Sequence, residues 1–253
     1  MQQKNIGFAN LGNEQCETCL HFSHHAHQPP KLETDCELCQ KYTTHKARVA
    51  SGRSKYDEDR EKDPEVGSEM FVSADMQKVM MLPFMRGVKT CVFINRLVAF
   101  HETFAPLGQQ AEKKNPQQVR SLARASSGIS AMDATSAFVK AVRDKAADAK
   151  DITIRCDNCS GQNKNWILFT SMVRLLNDNS VPLLNSVTFK NLETGHTFMS
   201  CDSFHGTVEK KLRKKGNVFD FVDLVAPVQT AGGGPRVLTM KNSDFVNWNK
   251  RVT

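Results

Sequence analysis

A change of period inside one short stretch constrains this fold most. Ile152-Thr153-Ile154-Arg155-Cys156 alternates apolar and polar residues, and Trp166 to Leu176 carries apolar residues at helical spacing. Period two followed by a period near 3.6 predicts strand, polar loop, helix. Between them lies Asp157-Asn158-Cys159-Ser160-Gly161-Gln162-Asn163-Lys164-Asn165. The class is then α/β, and Asp157 falls at the carboxyl end of a strand, where open α/β sheets place their ligands. A bare Asp after a strand also serves as a plain turn residue.

Metal-ligand residues crowd the other end of the chain. Cys16-Glu17-Thr18-Cys19 and Cys36-Glu37-Leu38-Cys39 are two CxxC pairs around a loop rich in histidine, and His45 follows the second pair. A CxxC knuckle turns both sulfurs toward one point, and two knuckles complete a tetrahedral zinc site. The expected structural zinc ligands are Cys16, Cys19, Cys36 and Cys39, with His45 the best histidine substitute. His21, His24, His25 and His27 leave room for a different fourth ligand or a second ion. Free thiols in a loose tail are the plainer alternative. The first ten residues lack the basic-then-apolar pattern of a secretory leader, so secretion is not expected and the eight cysteines read as thiols or ligands. No apolar run approaches the roughly 18 residues of a membrane span.

These features divide the chain into a zinc module over 1–48, a connecting polar helix or linker over 49–67, a main domain over 68–216 and an extension over 217–253. In the main domain, Met70 to Pro83 reads as a buried strand carrying Asp75, which must be paired, hydrogen-bonded or metal-bound. Cys91 to Phe100 reads as its antiparallel partner across a turn at Arg86-Gly87. Residues 109–124 read as a basic loop, and Ser130 to Lys150 as a helix. Ser186 to Lys190 is a further strand. From about Ser200 a helix would set Asp202, His205 and Glu209 on one face. Asp202 and Glu209 would stand roughly 10 Å apart along it, so Asp202 is the first choice as a metal-site acid and Glu209 the alternative. His196 and His205 read as hydrogen-bond partners. In the extension, Val237 to Met240 reads as a strand.

Strand with acid, hairpin, helix, strand with acid, helix, strand, helix with acid: this order resembles the ribonuclease-H-like fold of DDE transposases and integrases. The chain is more closely similar to a family of transposon-derived proteins of animal genomes. The residues that carry the likeness are Ser73-Ala74-Asp75-Met76-Gln77, the Asp157 to Asn165 segment, and Gly195-His196-Thr197-Phe198 with Asp202, His205-Gly206 and Glu209. The paired cysteines, His45 and the polar helix also fit, and the likeness covers most of residues 16–215. It implies a mixed sheet flanked by helices, with Asp75, Asp157 and Asp202 holding two Mg²⁺ or Mn²⁺ ions for phosphodiester cleavage and strand transfer. Asn158, Gln162, Asn163, His196 and His205 would be accessory residues.

The net charge of +7 and a pI near 9.0 favour a polyanionic partner, here nucleic acid, with duplex DNA expected. Lys164, Lys210, Lys211, Arg213, Lys214 and Lys215 would meet its phosphates. A nuclear or cytoplasmic location suits that partner, and self-association stays open. Two further readings stand beside the nuclease: an inactive scaffold that keeps zinc and binds DNA or protein, and a zinc-stabilised interaction protein with no nucleic-acid role.

Overall fold

The computed structural model describes residues 16–29, 31–62, 68–108, 120–126, 130–233 and 235–250. Its helices are α1 (Glu17–Ser23), α2 (Glu37–Glu61), α3 (Ala131–Lys145), α4 (Trp166–Leu176), α5 (Ser200–Lys215) and α6 (Phe221–Gln229). Its strands are β1 (Glu69–Met76), β2 (Met80–Leu82), β3 (Leu97–Pro106), β4 (Arg120–Ser126), β5 (Asp151–Cys156), β6 (Ser186–Asn191) and β7 (Arg236–Thr239). All seven join one mixed sheet in the order β6-β5-β1-β3-β4-β7, with β2 beside β3. β1, β5 and β6 run parallel, β3 lies antiparallel to β1, β2 and β4, and β7 is parallel to β4. The class is therefore α/β. No helix among the described residues is long and apolar enough to cross a membrane.

Alternation along the strands sorts the core into two layers. Val72 and Ala74 of β1, Phe104 of β3 and Ile152 and Ile154 of β5 face α3 and α4, where Phe138, Val142, Leu168 and Met172 fill the space. Both helices are started by side chains. Asp133 N–H donates to Ser130 Oγ and Ser130 N–H to the Asp133 carboxylate, a reciprocal capping box for α3. Asn165 Oδ1 accepts from Leu168 N–H at 2.9 Å and opens α4.

The opposite face carries α2 and α5. Tyr56 of α2 packs with Phe71, Leu107, Leu192 and Met199. Cys201 of α5 donates its N–H to Ser73 Oγ at 3.1 Å. Asp59 is buried under α2, where Arg155 of β5 donates Nε at 2.9 Å and Lys190 of β6 donates Nζ at 3.0 Å. Burial works to raise the Asp59 pKa, but hydrogen bonds and charge from Lys190 and Arg155 prevail and hold it below the usual carboxylate range. Gly108 (φ +58°) seats the end of β3 against the last turn of α2, since an added Cβ would lie 1.6 Å from the Arg60 carbonyl oxygen.

Several expectations need correction. The polar helix over 49–67 begins at Glu37, runs unbroken through residue 48, and is docked rather than solvated, because Tyr56 and Asp59 reach the sheet. The strand predicted from Met70 to Pro83 breaks after Met76, and β2 pairs separately with β3. The predicted partner strand from Cys91 starts late, at Leu97, because Lys89–Val92 forms a 3-10 turn. Residues 120–124, expected in a loop, lie in β4, while 109–119 fall outside the described residues. The 217–253 extension gives β7 to the sheet and contains α6, capped by Asp220 accepting from Asp223 N–H.

Candidate metal centres and the acidic cavity

Two Cys/His groups stand where one zinc site was expected. Cys16, Cys19, His45 and His196 bring four ligand atoms within 4.8 Å of one another, and so do His25, His27, Cys36 and Cys39. The two CxxC pairs therefore do not converge on one ion. The physical reason is that Cys16 starts α1 and Cys36 starts α2, so each knuckle sits at its own helix end and meets different histidines.

The spacing within each group suits tetrahedral zinc. Bonds of about 2.3 Å to sulfur and 2.0 Å to nitrogen put ligand atoms roughly 3.3–3.8 Å apart. In the first group, His45 Nε2 lies 3.3 Å from Cys16 Sγ, 3.5 Å from Cys19 Sγ and 3.2 Å from His196 Nε2. In the second, His25 Nε2 lies 3.2 Å from Cys36 Sγ and 3.6 Å from Cys39 Sγ, and His27 Nδ1 lies 3.7 Å from Cys39 Sγ. Each group also has a carboxylate behind one histidine. Glu193 Oε1 is 3.3 Å from His45 Nδ1, and Glu33 Oε1 is 3.4 Å from His27 Nε2. Such partners fix the tautomer and aim the other nitrogen at an ion. Both groups could hold a metal ion such as zinc.

His196, expected as a hydrogen-bond partner, is the surprise of the first group. It sits just past β6, in the loop after Glu193. Gly195 makes the approach possible. Its φ is +76°, and a Cβ there would lie 2.7 Å from Cys16 Cα. Only glycine relieves both the backbone angle and the contact.

The loop that supplies His196 also walls an acidic cavity of 930 Å³, lined by Asp157, Asn158, Arg53, His196, Phe198 and Asp202 among others. Asp157 closes β5, and its Oδ1 accepts from Cys159 N–H at 3.1 Å and from the Asn163 side-chain amide. Asp202, in the first turn of α5, accepts from Met199 N–H at 2.6 Å. Burial pushes the Asp202 carboxyl up, with nearby Asp157 adding to the effect against Met199 N–H and Arg53. Asp75, Asp202 and His205 form a third group able to hold an ion, their ligand atoms within 4.8 Å of one another. Asp157 lies outside that group but shares the cavity with Asp202. His205 Nδ1 is 3.7 Å from Asp75 Oδ2, and its Nε2 is 3.0 Å from Thr103 Oγ1. Burial draws its pKa down to about 4, leaving a neutral imidazole at neutral pH.

A fourth carboxyl lies on the neighbouring strand, outside the ligand group. Glu102 of β3 is buried, its Oε1 has no hydrogen-bond partner, and burial raises its pKa well above the ordinary value, with Asp75 and Asp157 raising it further. Sequence reasoning missed it, although an acid and a histidine, His101, inside the apolar run Leu97–Pro106 are the same signal that marked Asp75. The other expected residues scatter. Glu209 lines a different cavity from Asp157 and Asp202. Gln162 is half-buried and Lys164 exposed on the loop. Lys210, Lys211, Arg213 and Lys214 are exposed along α5, whereas Lys215 is tied to Asp223 at 2.6 Å. Asn158 Oδ1 and Asn163 Oδ1 are buried without partners, so polar ligand atoms around Asp157 remain to be satisfied.

No protein-family model, curated protein or solved structure matches this chain.

Proposed function

We propose that this chain is a divalent-metal-dependent nuclease with a ribonuclease-H-like domain, acting on DNA in the manner of a transposase or integrase. The observation that carries the reading is the gathering of acids from distant parts of the chain. Asp75 from the sheet's middle groups with Asp202 from α5, and Asp202 shares a cavity with Asp157 from the end of β5. The order of elements supports it as well, since the antiparallel β3 and β4 flank β1 on one side and the parallel β5 and β6 on the other.

The donor set fits hard cations. Carboxylates suit Mg²⁺ or Mn²⁺, and the unpaired amide oxygens of Asn158 and Asn163 are further hard donors. Two such ions supply an activated oxygen nucleophile and stabilise the leaving oxygen of an in-line displacement. The protein's own groups hold and orient. Asp75, Asp157 and Asp202 would hold the ions, and His205, held by Thr103, would brace Asp75. Arg53, whose Nη2 donates to the His196 carbonyl at 3.4 Å, stands at the cavity wall to meet a phosphate. Zinc in the two Cys/His groups would be structural.

The test is nicking of supercoiled duplex DNA with Mg²⁺ or Mn²⁺. Asp157→Asn and Asp75→Asn should each lower nicking by more than about 100-fold with the melting temperature held. Nicking that survives both variants would sink the proposal. A second reading is an inactive DNA-binding scaffold, favoured by one fact: Asp157 and Asp202 each already use an oxygen to hold local backbone. Salt-dependent duplex binding without metal-dependent nicking would select it.

A further inference from the structure

A second cavity lies along the later turns of α5, away from the loop that carries His196. Its volume is 610 Å³. Met80, Leu82 and Val218 form an apolar floor, and Val79, Met81 and Phe84 stand exposed around it. Four cations, Lys78, Arg86, Arg96 and Arg213, share the lining with one acid, Glu209. None of those four cations is ion-paired among the described residues. An apolar floor with a cationic rim matches a ligand that is flat and apolar at its centre and anionic along its edge.

The groove is a separate cavity from the acidic one, set farther along α5 and past the end of β1. Gln77 lies two residues beyond Asp75, and Arg213 lies on the same helix as Asp202. Eleven residues of helix at about 1.5 Å each separate Asp202 from Arg213, roughly 16 Å. A nucleic-acid strand advances about 3.4 Å per nucleotide, so Arg213 stands about five nucleotides from Asp202. Lys210, Lys211 and Lys214 are exposed along the helix between and beyond them.

We infer that this groove holds an unpaired nucleotide of a DNA flank, with the base against Phe84 and Met81 and the phosphates on Arg86, Arg96 and Arg213. The inference rests on the nuclease reading for its substrate class, and it adds a single-stranded subsite to a site otherwise read as duplex-binding. Bases stack on aromatic side chains without regard to sequence, and arginine adds cation–π attraction. The groove should therefore select unpaired DNA rather than a particular base.

The experiment compares two fluorescent probes by anisotropy in Ca²⁺ with the full chain: a blunt duplex, and the same duplex with a five-nucleotide unpaired flank. The native protein should bind the flanked probe about tenfold more tightly, the scale of one stacked base. Phe84→Ala and Arg96→Ala should each erase that preference and leave blunt-duplex affinity unchanged. Equal loss on both probes, or no loss on either, would overturn the inference. So would tight capture of an acidic amphipathic peptide that the same two substitutions abolish, because the groove would then be a protein-docking site. Nicking of covalently closed duplex by Phe84→Ala keeps the parent reading separate. Failure of the flank preference with nicking intact removes only the subsite, whereas loss of all DNA binding in the native chain removes both.

Discussion

The two Cys/His groups have the same ligand types and nearly the same internal spacing, yet they are wired differently. The second draws all four residues from His25 to Cys39, a span of one loop and one helix start. The first draws Cys16, Cys19 and His45 from the amino-terminal segment and His196 from beyond β6, with Glu193 and Gly195 beside it. A local group stabilises the piece of chain it closes. A group that reaches across the fold would, with an ion bound, fix one layer against another, here the wall of the acidic cavity. Identical chemistry thus serves two purposes, decided by where one histidine comes from.

The sharpest way to break this comparison is to remove one histidine from each group. Structural zinc contributes about 10–16 kcal/mol in small domains, so one of four ligands carries on the order of 4. His196→Ala should lower the melting temperature of the sheet domain by roughly 8–16 °C, since about 1 kcal/mol moves a domain of this size by about 2–4 °C. His25→Ala should release a similar amount of zinc yet leave that transition nearly in place. Calorimetry with zinc release followed by a chromophoric chelator separates the outcomes, and equal shifts would erase the distinction.

Gly195→Ala is the next largest expected effect. It leaves all ligands in place but forces an alanine into a left-handed backbone angle and against Cys16. A loss of about 3 kcal/mol follows from the backbone angle and the displaced contact. Zinc affinity should fall for the first group alone, which chelator titration resolves as one weakened site out of two.

Smallest of all should be removal of the outer carboxylates. Glu193→Gln and Glu33→Gln each weaken the orientation of one histidine and should lower zinc affinity about 10–100-fold. If the wiring matters, only Glu193→Gln will also change Mn²⁺ binding at the acids, measured by paramagnetic relaxation of water. Parallel behaviour of the two variants would show that the cavity ignores the first group.

Much of the core was readable because its pattern is local. The period change around Asp157 marked β5 and α4, and the helical spacing from Ser130 to Lys150 marked α3. What escaped was long-range. Spacing shows that a CxxC pair will converge but not which histidine joins it, and His196 lies 177 residues from Cys19. β4 was hidden because its run, Arg120 to Ser126, is short of the β-branched residues that mark strands. α6 was hidden by Pro227 inside the helix. Glu102 was hidden because it lies past the end of the strand predicted from Cys91 to Phe100, and its neighbours across the sheet create its environment. Asp59 looked like one more charge on a polar helix until its partners from β5 and β6 were in place.

That buried pairing of Asp59 with Arg155 and Lys190 has a consequence for how the chain can be divided. A version beginning at residue 68 would keep every strand and all four carboxyls. It would also strip α2 from the sheet, opening Phe71, Leu107 and the Arg155 guanidinium to water together. The amino-terminal piece and the sheet are therefore an indivisible inheritance, and any shuffling event that kept only one would hand its descendant a sheet with one bare face.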